Sequence, residues 1–310
     1  MSALPARAEE YLALRRSLGF TLRAEGRLLR SFVGFAGEEH LATVTIEAAL
    51  RWATAPSGTS RSWHAQRLGV VRGFARHLQA IGDCCEVPPP ELLAFPKGRA
   101  QPYLYSQAEI ASLMGAARAL VPELRAATYE TVIGLLATTG MRGGEAIRLD
   151  RSDVDLASGM VTVVSSKFGR TRLLPLHLST AEALDAYASR RDRLCPRPLD
   201  RSSFFLAAGG ARLVHRSFGA TFARLVRDAG VGSPPASGRG GPRPHDLRHS
   251  FAVATLVGWH RSGADVQALL PSLSTYLGHV SPASTYWYYS DSRVIPILAP
   301  LRVWRACGLG

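Results

Sequence analysis

Three consecutive prolines, Pro88-Pro89-Pro90, with Pro96-Lys97-Gly98-Arg99 close behind, divide this chain before anything else is decided. A proline ring fixes φ and removes the backbone donor, so neither a helix nor a central strand can run through such a stretch. It reads as an extended linker between two folding units. The boundaries drawn from it are a first domain over residues 1–86, a linker over 87–104 and a second domain over 105–310. With 310 residues, either side has enough chain to bury a core of its own.

Before the linker, residues 6–82 read as helices broken by short turns, with no strand pattern between them. The clearest are Glu10 to Arg16, Leu28 to Phe35, Ile46 to Ala53 and Trp63 to Ile81. In the last, Leu68, Val71, Phe74, Ala75 and Leu78 form one apolar stripe, and Arg67, Arg72 and Arg76 fall elsewhere. Those arginines are expected to form a basic face open to solvent or to DNA.

The second domain opens with Ser106-Gln107-Ala108-Glu109, a capping box ahead of Ile110 and Leu113. A helix from about Ala126 to Ala137 leads to Thr138-Thr139-Gly140-Met141-Arg142-Gly143-Gly144-Glu145, where Arg142 follows a glycine turn at a helix start that favours an anion. Glu145 reads as structural, pinning a loop or an arginine. Met160 to Val164 and Arg172 to Leu176 are β-rich runs around Lys167-Phe168-Gly169-Arg170, a hairpin with Lys167 at its tip. Residues 180–229 read as helix again, and Pro234 to Gly241 as a flexible loop. The fold class is therefore mainly α with a small antiparallel hairpin.

Residues 242–289 carry the chemistry: Pro242-Arg243-Pro244-His245-Asp246-Leu247-Arg248-His249, then Leu277-Gly278-His279 and Tyr286-Trp287-Tyr288-Tyr289. His245 and Arg248 stand three apart, on one face of a helix, so two cationic groups can meet one anion. His279 follows a glycine, and Tyr288 is a side chain able to attack phosphorus. His245 and His249 have zinc-ligand spacing, but a metalloprotease helix needs a glutamate after its first histidine and this chain has Asp246.

The formal net charge of +13, nearly all of it beyond residue 95, points to a polyanionic partner and most economically to nucleic acid. Lys97 and Lys167 are the only lysines among 37 basic residues, and lysine, unlike arginine, can give up a proton. Cys84, Cys85, Cys195 and Cys307 form neither a metal-ligand spacing nor a disulfide framework. With no signal peptide and no apolar run of membrane-spanning length, the expected location is cytoplasmic, at the nucleoid, with no membrane partner.

Taken together these residues resemble the tyrosine recombinase, or phage integrase, family and its Xer-like site-specific recombinases, over about residues 106–292 and more weakly over the helical amino-terminal part. The family pattern is an arginine after a glycine turn, a hairpin lysine, His-x-x-Arg, a later histidine or tryptophan, and a tyrosine about nine residues on. Arg142, Lys167, His245, Arg248, His279 and Tyr288 supply it in order. Lys167 stands eight residues before Pro175, as in the family's Lys-Gly-x-x-x-Arg-x-x-Pro hairpin, with Phe168 in place of the glycine. By spacing from His279, Tyr288 matches the nucleophile; Tyr286 and Tyr289 do not.

The resemblance implies a helical, SAM-like core-binding domain followed by a mixed α+β catalytic domain. It implies cleavage and rejoining of double-stranded DNA through a 3′-phosphotyrosyl link, with no metal, cofactor or ATP. Arg142 and Arg248 would clamp the phosphate, His279 would donate a further hydrogen bond, His245 would move the proton of Tyr288, and Lys167 would protonate the leaving 5′ oxygen. The apolar segment Val294 to Trp304 would dock on a neighbouring copy, giving a tetramer on DNA, with partner recombinases a further expectation. The competing readings are a catalytically inactive DNA-binding protein and a type IB topoisomerase-like enzyme. A metal-dependent nuclease would need clustered carboxylates, and the motifs offer only Asp246 and Glu145.

Overall fold

The computed structural model describes residues 3–94, 102–164, 171–232, 241–279 and Thr285. The chain divides into two compact units, Met1–Arg99 and Ala100–Gly310.

The described residues of the first unit form four helices: α1 (Leu4–Ser17), α2 (Arg23–Glu38), α3 (Ile46–Thr54) and α4 (Arg61–Ala80). Local chemistry starts two of them. Thr45 and Ser60 accept from the backbone N–H three residues on, each at 3.2 Å, so the hydroxyl satisfies an amide that the helix itself leaves unpaired. The apolar stripe of α4 packs with Leu29, Phe32 and Trp52 in one core. Phe32 and Phe74 are fully buried, each removing from water a ring whose burial stabilises by roughly 2 to 3 kcal/mol.

The basic face expected on α4 is largely internal. Arg67 lies 3.7 Å over the Trp52 ring and donates to the Trp52 carbonyl at 2.6 Å. Arg72 donates to the carbonyls of Pro88 and Pro89 at 2.8 and 2.7 Å. Proline carbonyls have no ladder to join, and a guanidinium fork fits two of them at once. Arg76 alone of the three is exposed. The same bonds fold the start of the expected linker onto the first unit, where Val87, Leu92 and Leu93 cover its core.

The second unit is built around α6 (Glu123–Thr139), which buries residues on all sides, including Tyr129, Val132, Ile133 and Leu136. A helix apolar all round must be enclosed, and α6 packs against α5 (Gln107–Arg118), α8 (Leu178–Leu194) and α10 (Pro244–Arg261). The capping box forms as read: Ser106 Oγ accepts from the Glu109 N–H at 3.2 Å and Glu109 accepts from the Ser106 N–H at 2.8 Å.

The hairpin is β2 (Met160–Val164) against β3 (Thr171–Pro175), antiparallel, with Val163 opposite Arg172. A short β1 (Val154–Asp155) adds a third strand. Val161, Val163 and Leu174 point into the core. The hairpin tip with Lys167 lies outside the described residues, as do the loop residues 233–240, Tyr286 to Tyr289 with Tyr288 among them, and the tail from Val294.

Helix does not continue through 180–229. Between α8 and α9 (His215–Asp228), bridges join Asp150 to Ser203 and Leu206 to Arg212. Pro196 and Pro198 stop α8, and Phe204, Phe205 and Leu206 then enter the core in extended form. Two further helices belong to the unit, α7 (Gly143–Arg148) and α11 (Val266–Leu277). No described helix is long and apolar enough to cross a membrane.

Candidate active site

The site forms where α11 ends. Gly278 takes the left-handed conformation, φ +66°, and its N–H bonds the Thr275 carbonyl at 2.9 Å while the His279 N–H bonds Ser274 at 3.0 Å. This is a Schellman termination, which glycine permits at no steric cost. It turns His279 off the helix end.

A helix leaves its last carbonyls without intrahelical partners, and here three arginines from three other elements take them. Arg172 of β3 donates from Nε to Tyr276 O at 3.0 Å. Arg248 of α10 donates from Nη2 to Leu277 O at 2.6 Å, and Arg142, at the start of α7, from Nη2 to Gly278 O at 3.0 Å. Three guanidinium groups thus converge on one chain end, where the negative end of the helix dipole also favours cations.

Each arginine is held a second time. Arg248, 2% exposed, also donates from Nη1 to Gly140 O at 2.8 Å. Gly140 closes α6 at φ +60°, and a Cβ there would lie 2.4 Å from Phe251 Cδ1, so only glycine lets α6 and α10 come this close. Phe251 in turn stacks on Tyr276 of α11, centroids 5.7 Å apart. Arg142 and Arg172 are both bound by Glu145: Arg142 Nη1 at 2.8 Å, Arg172 Nη2 at 2.7 Å. The Glu145 carboxylate also accepts from the Arg142 N–H at 3.0 Å, which caps α7.

The electrostatics follow from this crowding. Burial alone would raise the Glu145 carboxyl, but Arg172 and Arg142 reverse that and hold it at about 2. His279 is lowered to about 4, first by burial and then by Arg248, Arg142, His245 and Arg172. It is therefore neutral at pH 7. Three of the sequence-read site residues, Arg142, His245 and Arg248, thus lie within electrostatic reach of a fourth, His279.

His245 stands exposed in the first turn of α10, its ring 4.8 Å from that of His249 and perpendicular to it. Asp246 is buried and caps the helix by accepting from the Arg243 N–H at 2.9 Å. Among the described residues no three of His, Cys, Asp and Glu gather as metal ligands. Lys167 and Tyr288 fall outside the described residues.

Reading the residues in order did not assign a role to Arg172 or Thr285. Arg172 was present in the hairpin pattern, five residues after Lys167, but its bonds run to Glu145 and Tyr276, which no local spacing reveals. Thr285 Oγ1 lies 2.7 Å from His279 Nδ1; its only sequence signal is its place three residues before Tyr288. Chemically, the arrangement is a pre-oriented cluster of buried and half-buried guanidinium donors beside a neutral imidazole, suited to holding a tetrahedral anion.

Comparison with known proteins agrees with this geometry. A sequence profile of the phage integrase family matches residues 104–293. The y4rB integrase/recombinase of Sinorhizobium fredii is 41% identical over 297 residues, covering 94% of each chain. The tyrosine recombinase XerC of Pelobacter propionicus is 32% identical over 287 residues, covering 90% of this chain and 87% of its own. Among solved structures, the Tn1549 transposon integrase in complex with transposon right end DNA shares the fold at TM-score 0.64 and 17% identity, over 94% of this chain and 96% of that one. A lambda integrase dimer bound to a core site shares it at TM-score 0.61 and 17% identity, over 93% and 96%. On the profile and on relatives this similar over nearly the whole length, the chain belongs to the phage integrase family, the tyrosine recombinases, a class of enzymes that cleave and rejoin DNA in site-specific recombination.

Proposed function

We propose that this chain recombines double-stranded DNA at a specific site through a 3′-phosphotyrosyl intermediate, with Tyr288 as nucleophile. The observation that carries the reading is the convergence of Arg142 and Arg248 on the end of α11 beside His279. A phosphodiester is anionic and repels nucleophiles, so the barrier falls chiefly through donors fixed where charge develops. A guanidinium has five N–H donors in a rigid fork. It can be anchored by protein carbonyls and still meet phosphate oxygens.

In the cleavage step the Tyr288 hydroxyl oxygen bonds to phosphorus and the P–O5′ bond breaks. His245 takes the tyrosine proton, and Lys167 gives one to the departing 5′ oxygen. His279 donates to a non-bridging oxygen. The phosphotyrosyl ester conserves the bond energy, so a 5′-hydroxyl from a second strand reverses the step without ATP or metal. The helical unit before the linker serves as the core-binding domain.

Recombination needs four strands cut and exchanged, which suits a homotetramer on DNA, with or without partner recombinases. The tail from Val294 to Trp304 is the proposed link between copies. A cavity of about 910 Å³ between α5, α6, α8 and α10, lined by Ile110, Met114, Leu135, Leu184 and Phe251, supports an apolar docking place on the neighbour. The proposed location is the cytoplasm, at the nucleoid.

The test is a nicked suicide substrate carrying the target site. The intact chain should form a covalent adduct whose modified peptide contains Tyr288, and Tyr288→Phe should bind DNA and form none. Tyr286→Phe and Tyr289→Phe should keep it, because by spacing from His279 only Tyr288 matches the nucleophile position. An adduct on another tyrosine removes the assignment of Tyr288. No adduct from the intact chain on any cognate site means a DNA-binding protein without catalysis.

A further inference from the structure

We propose that Thr285 is a positioning residue that sets the tautomer of His279: its hydroxyl donates to Nδ1, which keeps the ring proton on Nε2 as a donor toward the phosphate. The proposal rests on the reading of this site as a phosphate clamp. It assigns a role to a residue outside the motif that defines the site.

Thr285 is 1% exposed, and its Oγ1 lies 2.7 Å from His279 Nδ1. A buried hydroxyl needs a partner, since leaving one unpaired costs about 1 to 3 kcal/mol. The imidazole is also fixed from its backbone, where the His279 N–H is bonded to Ser274 O at 3.0 Å. Turning the ring away would break its bond to Thr285 Oγ1.

A neutral imidazole has one N–H and one lone pair, and the bond made by one nitrogen decides the character of the other. The groups facing this ring are Arg142, Arg172, Arg248 and His245, which disfavour a second proton on it. Two neutral arrangements remain. In one, Nδ1–H donates to Thr285 and Nε2 carries a lone pair. In the other, Thr285 donates to Nδ1 and Nε2 carries the hydrogen. The cluster attracts an anion, and phosphate oxygens only accept. A lone pair on Nε2 would repel them, whereas Nε2–H would bind them, so the second arrangement is the one the site can use.

The experiment uses the full chain labelled with ¹⁵N-histidine, and His279→Gln to assign the His279 resonances. The nitrogen shifts of the wild type at neutral pH should show Nε2 protonated and Nδ1 bare. Thr285→Val, nearly isosteric, should move the ring toward the other tautomer and slow single-turnover cleavage by roughly tenfold, the loss of one ordinary hydrogen bond, with DNA affinity unchanged. Thr285→Ser should keep both the tautomer and the rate. A wild-type Nδ1–H ring overturns the proposal even if Thr285→Val fails to fold. Thr285→Ser as slow as Thr285→Val with the wild-type tautomer retained also overturns it, since packing alone would then account for the defect. Because the nitrogen shifts are read without DNA, they judge the tautomer whether or not the intact chain forms an adduct.

Discussion

Glu145 and Arg172, 27 residues apart, form a two-point ion pair, Oε2 to Nη2 at 2.7 Å and Oε1 to Nη1 at 3.2 Å, and the same carboxylate holds Arg142. One buried anion thus sets the distance between two cations that would otherwise repel. The hairpin strand, the start of α7 and the end of α11 are fixed together through it.

Glu145→Gln removes that charge and leaves the two guanidinium groups unbalanced. Breaking a buried pair costs about 3 kcal/mol or more, and because the Arg142 side chain is 38% exposed, water screens part of it. A loss of about 2 kcal/mol in urea unfolding is expected. The pH dependence has a definite sign. The folded carboxyl sits at about 2 against an ordinary 4.5, so its stabilisation is complete above 4.5 and lost as pH falls toward 2. The intact chain should therefore lose its advantage over Glu145→Gln across that window. Parallel stability curves for the two proteins would contradict the assignment.

Arg248→Lys keeps a positive charge but not the fork. A single ammonium cannot reproduce the two planar bonds to Gly140 O and Leu277 O while meeting a phosphate. Single-turnover cleavage should fall by roughly a hundredfold, the scale for losing one fixed oxyanion donor. The affinity for DNA, spread over many phosphates, should change little. An unaltered cleavage rate would show that charge alone suffices.

Gly278→Ala places a β-carbon 2.8 Å from Arg172 Nη1 at a φ of +66°. The backbone strain alone is about 1 to 2 kcal/mol, and Arg172 must shift from its carbonyl. Both melting temperature and cleavage rate should drop. Gly115→Ala, in α5 with nothing within 4 Å of the new carbon, is the control, and should gain about 0.5 to 1 kcal/mol as alanine replaces glycine within a helix.

Lys167→Ala tests the proposed proton donor. It should slow cleavage strongly on ordinary DNA and be rescued on a substrate whose leaving 5′ oxygen is sulfur, a better leaving group that needs no proton. Equal defects on both substrates would assign Lys167 to binding or positioning.

The helices and the hairpin were legible in the sequence because their causes are local. A stripe repeating every three to four residues must face a core, and Ile46 to Ala53 became Ile46–Thr54. The capping box at Ser106 needs only the residue three positions on. The sequence also offered Arg142, Arg248 and His279, which the fold brings to the end of α11, since chemistry restricts which side chains can clamp an anion, whereas the roles of Lys167 and Tyr288 are proposals. The segment between α8 and α9 was misread as helix because its prolines mark an interruption without saying what fills it. Arg67 and Arg72 read as a basic face because their partners, the carbonyls of Trp52, Pro88 and Pro89, carry no signature in the side-chain sequence. The same limit hid Arg172 and Thr285. Which arginine takes which carbonyl at the end of α11 depends on backbone groups left unpaired by one helix and on side chains arriving from 29 to 136 positions away. Every backbone offers the same donors and acceptors, so only the tertiary fold decides which of them are left to bind.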